Sequence, residues 1–245
     1  MKKIFYFLIL TLLFIVVINY GEIDSYIIKK LEPCEYGKVE RIVDGDTVII
    51  NGTSVRLLGI NTPEKGEKYY QEAKLFLEEK ILDKEVKLCF SGQKTDKYGR
   101  ILAYIFYQNK NINLESVREG YANFYFPSGK KEYYSNFKEA WEECLINEKN
   151  LCEKSKNQCI VFQDLTIELQ ILKLKNTCPE SQDLTGWSIK DEGRKKYVLL
   201  KTILRPEEEI IITKKDFGED YVWTKTGDSV FVRDETGKLV LFYNF

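Results

Sequence analysis

Four short polar clusters stand out for the chemistry their side chains could do: Asp44-Gly45-Asp46-Thr47, Arg56, Asn61-Thr62-Pro63-Glu64 and Asp96-Lys97-Tyr98-Gly99-Arg100. The chain contains no histidine. That excludes Ser-His-Asp and Cys-His catalysis and every zinc site that needs an imidazole. Any reaction must therefore run on carboxylates, arginines, lysines or thiols. Taken alone, Asp-Gly-Asp is commonly a turn, and Asp-Lys-Tyr-Gly-Arg a solvated loop. Arg56 is less ordinary, because it heads the apolar run Leu57-Leu58, where a strand facing a core would not place a guanidinium.

The elements that must position these groups follow from local pattern. Val39 to Val43 and Thr47 to Ile50 read as strands, Asn51-Gly52 as a two-residue hairpin turn, and Val55 to Ile60 as the returning strand. That hairpin brings Arg56 back beside Asp46 and sets the Asn61–Glu64 turn at a neighbouring strand end. Gln71 to Leu82 reads as an amphipathic helix with Ala73, Phe76, Leu77 and Ile81 on one face. Val86 to Phe90 and Ile101 to Tyr107 are two more strands. Asn113 is expected to cap a short helix ending at Gly120, and Ser135 a helix through Ile146. Five short strands with helices suit a barrel of the OB type.

In this order and spacing, VDGDT (43–47), VRLLGINTPE (55–64), TDKYGR (95–100) and REGYA (118–122) closely resemble the staphylococcal nuclease (thermonuclease-like) family, from about Lys38 to Leu151. The resemblance implies an OB-type five-stranded barrel with helices and hydrolysis of phosphodiester bonds in DNA or RNA. It implies Asp46 as a Ca²⁺-ligand aspartate and Thr62 as a ligand through its backbone carbonyl. Glu64 becomes the residue that orients or deprotonates water, and Arg56 and Arg100 the phosphate-binding arginines. Such roles are chemically coherent: oxygen ligands suit a hard cation, and planar guanidinium forks match phosphate oxygens. Two positions depart from the pattern. Asn61 stands where the family usually has a second ligand aspartate, which keeps an oxygen but removes a charge, so weaker calcium binding is expected. Cys152 stands where a tryptophan commonly closes the domain. Lys97, Tyr98 and Tyr125 are candidate substrate contacts, by charge or by stacking on a base, whereas Phe124 and Phe126 are equally well explained as core.

From Ile160 to Phe245 helical periodicity gives way to short strands. Ile167, Leu169 and Ile171 alternate, and further strands are expected around Trp187, Tyr197, Ile210, Trp223, Val230 and Leu241. LQILKLKNTC (169–178), DLTGWSIKDE (183–192) and VWTKTGDSVFVRDETGKLV (222–240) resemble a lamin-tail domain, which implies an immunoglobulin-like β sandwich. Its target is not readable from sequence. Trp187 and Trp223 are expected as core anchors.

Met1-Lys2-Lys3 precedes an apolar run from Ile4 to Ile18. The run is shorter than the roughly 20 residues that cross a bilayer, as in a signal peptide, but no small-residue cleavage pattern follows. Residues 1–20 are therefore expected to be a hydrophobic helix serving as signal peptide or membrane anchor. A linker (21–36), the nuclease-like domain (37–152), a second linker (153–159) and the sandwich (160–245) follow. Six cysteines, none in a C-x-x-C pair, fit disulfides in an exported protein, with 15 possible pairings. The balance of 37 Lys+Arg against 38 Asp+Glu gives a net charge of -1, so a polyanion needs a local basic cleft rather than a whole-molecule field. The combined expectation is a mainly β, exported, calcium-dependent nuclease, at the membrane if the leader is retained. The alternative is a catalytically silent OB-type module that binds nucleic acid or protein at the cell surface.

Overall fold

The computed structural model describes residues 34–127, 129–130 and 132–245. The expected leader, residues 1–20, and most of the first linker lie outside the described residues. Among those described, no helix is long and apolar enough to cross a membrane.

The first half is a closed five-stranded barrel. Strand β1 (Cys34–Ile42) pairs antiparallel with β5 (Glu85–Cys89) through its first five residues, and with β2 (Thr47–Ile50) through its last residues. A register shift between Val39 and Arg41 lets one strand serve both neighbours. Asn51 and Gly52, at φ 47° and 74°, form the tight turn from β2 into β3 (Thr53–Leu57). Strand β6 (Ile101–Tyr107) pairs with β5 and, in parallel, with β3, which closes the barrel. Short β7 (Lys110–Asn111) extends β6.

The third strand ends earlier than the apolar run suggests. Gly59 adopts φ 74°, and a side chain there would meet the rings of Phe126 and Phe137 at 3.1–3.3 Å. The chain breaks at this point and resumes as β4 (Ile60–Asn61), which pairs with β8 (Asn123–Phe124).

Three helices surround the barrel. Helix α1 (Tyr70–Ile81) buries the expected Ala73, Phe76, Leu77 and Ile81. Helix α2 (Ile112–Arg118) is capped by Asn111, whose side chain accepts from the Leu114 N–H, and not by Asn113. Asn113 is fully buried; its side chain accepts from Ile105 N and donates to the carbonyls of Leu58 and Ala103. Helix α3 (Tyr134–Asn147) starts after Tyr133 in a left-handed conformation, with no side-chain cap, so Ser135 lies inside it. A 3₁₀ turn (Asn150–Cys152) follows, and Cys152 is bonded to Cys144 of α3. Sulfur thus ties the turn that follows the last helix of the first half. The other disulfides are Cys34–Cys89, which joins paired positions of β1 and β5, and Cys159–Cys178.

The second half holds two larger antiparallel sheets. One orders β15 (Glu209–Thr213), β10 (Ile171–Asn176) and β9 (Ile160–Thr166). The other orders β13 (Lys196–Val198), β12 (Ser188–Lys190), β16 (Ser229–Arg233) and β17 (Leu239–Asn244). The short β11 (Gln182–Asp183) and β14 (Ile203–Leu204) pair with each other. Leu172, Leu174 and Ile212 from the first sheet share a core with Ile189, Val230 and Val232 from the second, and Trp187 and Trp223 are buried there as expected. Two strand expectations fail locally. Residues 167–170 form a turn in which Leu169 is exposed, while the buried Gln170 side chain accepts from Val222 N and Trp223 N and donates to Trp223 O. Those bonds hold Trp223 in an irregular segment rather than a strand.

The halves are not beads on a linker. Residues 153–155 bond to the last strand, through Leu239 N to Glu153 O and Ser155 N to Leu239 O. Strand β16 is buried on both faces. Val230 and Val232 point into their own core, and the alternation turns Phe231 toward Trp141 of α3, edge-on at 5.6 Å. Phe242 completes the contact at 5.7 Å from Trp141 and 6.2 Å from Phe124.

Because Asn113 serves the barrel and Asn111 the helix end, their removal should differ. Asn113→Ala should cost on the order of 3 kcal/mol, leaving buried backbone groups unpaired, and Asn111→Ala about 1 kcal/mol. Denaturant midpoints check this, and equal losses would reassign the cap.

Candidate active site

Asp46 and Arg56 meet because the β2–β3 hairpin sets Thr47 opposite Arg56. Both are buried, and Arg56 Nη2 lies 3.0 Å from Asp46 Oδ2. The same guanidinium donates to the carbonyls of Leu57 and Ile60, which the break at Gly59 turns toward it. Arg56 is thus held in place by its own strand end. Burial lowers its pKa; Asp46 opposes that effect, and Arg100 and Arg194 add to it. Gly45 allows the carboxylate loop to close, since a side chain there would meet Ala73 of α1 at 2.7 Å and Thr62 at 2.9 Å. Thr62 then donates to Asp46 Oδ2 through Oγ1 at 3.2 Å.

Arg100 joins from the loop before β6. Its Nε pairs with Asp96 at 2.7 Å, and its Nη1 reaches Thr47 Oγ1 at 3.4 Å. Thr47 in turn donates to Asp46 Oδ1 at 2.9 Å. The structure therefore brings Asp46, Arg56, Thr62 and Arg100 into one network. Glu64, two residues on from Thr62, is half exposed and pairs with Arg194, and Asn61 is buried. Tyr98 is 72% exposed, with Lys97 and Arg100 near its ring at 5.0 and 5.6 Å, so it offers an open stacking face. Tyr125 is half-buried beneath Gly193 of the second half, with its phenol pKa raised by burial and then by Asp191. Phe124 and Phe126 are core.

A group the sequence did not single out completes the site. The Asp191–Lys195 turn leaves β12 and lies across the barrel end. Gly193 O accepts from Asn61 Nδ2 at 2.7 Å, and Arg194 Nε pairs with Glu64 Oε1 at 2.6 Å. Glu192 O accepts from Asn123 Nδ2 at 2.9 Å. In the sequence, Asp-Glu-Gly reads only as a turn; nothing local says which surface that turn will face.

The donor set for a metal is made only of oxygen. Among the described residues, no group of three or more His, Cys, Asp or Glu stands ready to hold an ion. Asp46 is the one fully buried carboxylate of the network. Asp44 is close by, its Oδ1 accepting from Asp46 N at 3.1 Å. Asn61 spends its amide nitrogen on Gly193, leaving Oδ1 as its ligand atom. Oxygen donors of this kind are the type a hard divalent cation takes, here at a low ligand charge and with both Asp46 oxygens already engaged by Arg56, Thr47 and Thr62.

Behind the turn sit three more carboxyls, Asp191, Glu192 and Asp228. Glu192 accepts from Phe126 N and Ser229 Oγ, and Asp228 from Glu192 N. Burial, and then Asp228, push Asp191 up to about 7 and Glu192 to about 8. Lys190 and Lys195 oppose the shift at Asp191 only in part. A carboxyl raised in the folded state favours folding while protonated and loses that advantage as pH climbs from its unfolded value through its folded one. Stability should thus fall between about pH 4 and pH 8. Glu192→Gln should flatten the fall, with a gain of several degrees in melting temperature at pH 8.5 relative to pH 5. A wild-type minus variant difference that does not change with pH would refute the assignment.

Residues 54–154 match the family described as Staphylococcal nuclease homologue. The chain is 30% identical to a thermonuclease of Staphylococcus intermedius, over 47% of this chain and 75% of that protein. It is 38% identical to an uncharacterised protein of Methanocaldococcus jannaschii, over 44% of this chain and 68% of the relative. An uncharacterised endonuclease of Haemophilus influenzae is 39% identical over 35% of this chain and 49% of its own length. The barrel, its ordered acid and arginines, and these relatives agree: the chain belongs to the staphylococcal nuclease homologue family, and so to the nuclease hydrolases.

Proposed function

We propose that this protein is an exported, calcium-dependent nuclease that hydrolyses phosphodiester bonds in DNA or RNA. The observation that carries the reading is the network in which Asp46, Arg56, Thr62 and Arg100 converge, with Glu64 two residues on from Thr62 in the chain. Asp46, the Asn61 amide oxygen and Thr62 would hold Ca²⁺, with Asp44 adding charge nearby. When bound, such an ion polarises a phosphate oxygen and helps place water. Arg100, partly exposed, offers its outer nitrogens to the equatorial oxygens as charge grows there. Arg56 is committed to two carbonyls and Asp46, so it holds positive potential beneath the phosphate rather than swinging onto it. Glu64 takes the proton of the attacking water. Its Oε1 is engaged by Arg194 at rest, and an arriving phosphate gives that guanidinium another oxyanion to pair with.

Three disulfides support an oxidising compartment, and residues 1–20 would supply export or anchoring. The second half is proposed as a lamin-tail-like module that positions the enzyme or its substrate. The silent-module reading keeps one specific support: Asn61 and Glu64 are both engaged by the Gly193–Arg194 turn.

Digestion of plasmid and single-stranded DNA separates the readings. Wild type should cleave in Ca²⁺ and not in EGTA, and Glu64→Ala and Arg100→Ala should each lose on the order of 10²- to 10³-fold in rate. Undiminished cleavage by either variant refutes the mechanism; no cleavage by wild type at any calcium level favours the silent module. Arg56 is a poorer probe, because removing it strands the Asp46 charge at about 3–5 kcal/mol. Asn61→Asp should lower the calcium needed for half activity, while the lost bond to Gly193 costs about 1 kcal/mol of stability. An unchanged calcium requirement would place residue 61 outside the coordination shell.

A further inference from the structure

Between the halves lies a cleft of about 290 Å³, lined on the barrel side by Pro63, Gly66, Glu67 and Asn123, and on the sheet side by Lys190, Lys196 and Arg233. Its charges do not balance. Lys196 is paired with Glu67 at 2.7 Å, and Glu67 also accepts from Glu64 N. Asp234 is spent on its own turn, accepting from Thr236 and Lys238, and Glu235 accepts from Trp187 Nε1. Lys190 and Arg233 remain. Lys190 reaches only Asn123 Oδ1 at 3.4 Å, and Arg233 only the carbonyl of Gly237 at 3.2 Å. Neither makes an ion pair among the described residues.

Two half-buried cations lining one cleft, neither in direct contact with a carboxylate and acted on only at longer range by Asp191, Glu67 and Asp234, leave a place for an anion from outside. Removal from water pulls the Lys190 ammonium down to about 8; Asp191 and Glu67 work against that, while Arg233 and Lys196 add repulsion. Arg233 is likewise pulled down by burial to about 10, which still leaves it charged. Position identifies the anion. Pro63 separates Thr62 from Glu64, and Asn123 pairs with Asn61 across β4 and β8, so the wall of the cleft is also the wall of the active site. We propose that this cleft is a phosphate subsite, in which Lys190 and Arg233 take a phosphodiester of the nucleic-acid strand flanking the one attacked at Glu64 and Arg100. The assignment of a strand rests on the nuclease reading; the capture of a phosphate group does not.

The test uses the full chain in EGTA, which removes the calcium that hydrolysis is proposed to need. Lys190→Gln removes an unneutralised cation and should fold at least as well as wild type; Arg233→Met is the second variant. Wild type should gain a few degrees in melting temperature in about 20 mM inorganic phosphate against chloride of matched ionic strength, and both variants should lose the gain. Their affinity for a labelled single-stranded oligonucleotide should fall about three- to tenfold, and the slope of log affinity against log salt should drop by about one per charge removed. A phosphate response retained by Lys190→Gln overturns the subsite. A response lost while oligonucleotide affinity and slope stay unchanged assigns the cleft to free phosphate and overturns the strand contact. A wild type that cleaves nothing in calcium yet shows the phosphate response would fail the nuclease reading and leave the subsite standing.

Discussion

The structure depends on one aromatic contact, that of Trp141 on α3 with Phe231 and Phe242 on the four-stranded sheet. A ring fully buried there contributes about 2–3 kcal/mol through area alone, and the edge-on pairing of Trp141 with Phe231 adds about 1 kcal/mol more. The contact fixes the direction in which the second half meets the barrel. Strand β12 runs beside β16 in the same sheet, so anchoring Phe231 also anchors Ser188–Lys190 and the turn that follows. Gly193 and Arg194 then fall on Asn61 and Glu64, and Lys190 and Arg233 line the cleft next to them.

Electrostatics in the site divide by burial. Asp46 and Arg56 neutralise each other in the interior and hold the network's shape, whereas Arg100 and Glu64 keep enough exposure to meet a substrate. The partners of the exposed pair are telling. Arg100 is oriented by Asp96, from its own loop, so its geometry belongs to the barrel. Glu64 is held by Arg194, from the other half, so the state of the proposed base is coupled to the docking of the second sheet. The family match stops at residue 154, and that coupling comes entirely from beyond it.

Much of the barrel is legible in the sequence because its signals are local. Asn51-Gly52 turns where two residues with positive φ are needed, and α1 buries the face its spacing marks. The reading slips where two neighbouring residues of one type compete for one role. Asn111 and Asn113 are both suited to a cap, and only packing against β6 shows that Asn113 is needed inside. It slips again at Leu169, whose place in an alternating run is overruled by the buried amide of Gln170, which bonds the segment around Trp223. Among the candidate site residues, Asp46, Arg56, Thr62 and Arg100 lie in one network, while Tyr125 lies under a turn that no barrel motif announces.

By itself the sequence determined the strands and helices of the barrel, the absence of imidazole chemistry, and the acids and arginines available to replace it. Those follow from side-chain type and period-2 or period-3.6 spacing, which each segment carries alone. Only the tertiary structure decided the disulfide pairing, the union of the halves through Phe231, and the placing of Arg194, Lys190 and Arg233 beside Asn61 and Glu64, which lie more than a hundred residues earlier in the chain. Contacts at that separation depend on how two complete surfaces fit and which charges they leave unmatched, and no stretch of chain holds that information until both surfaces have formed.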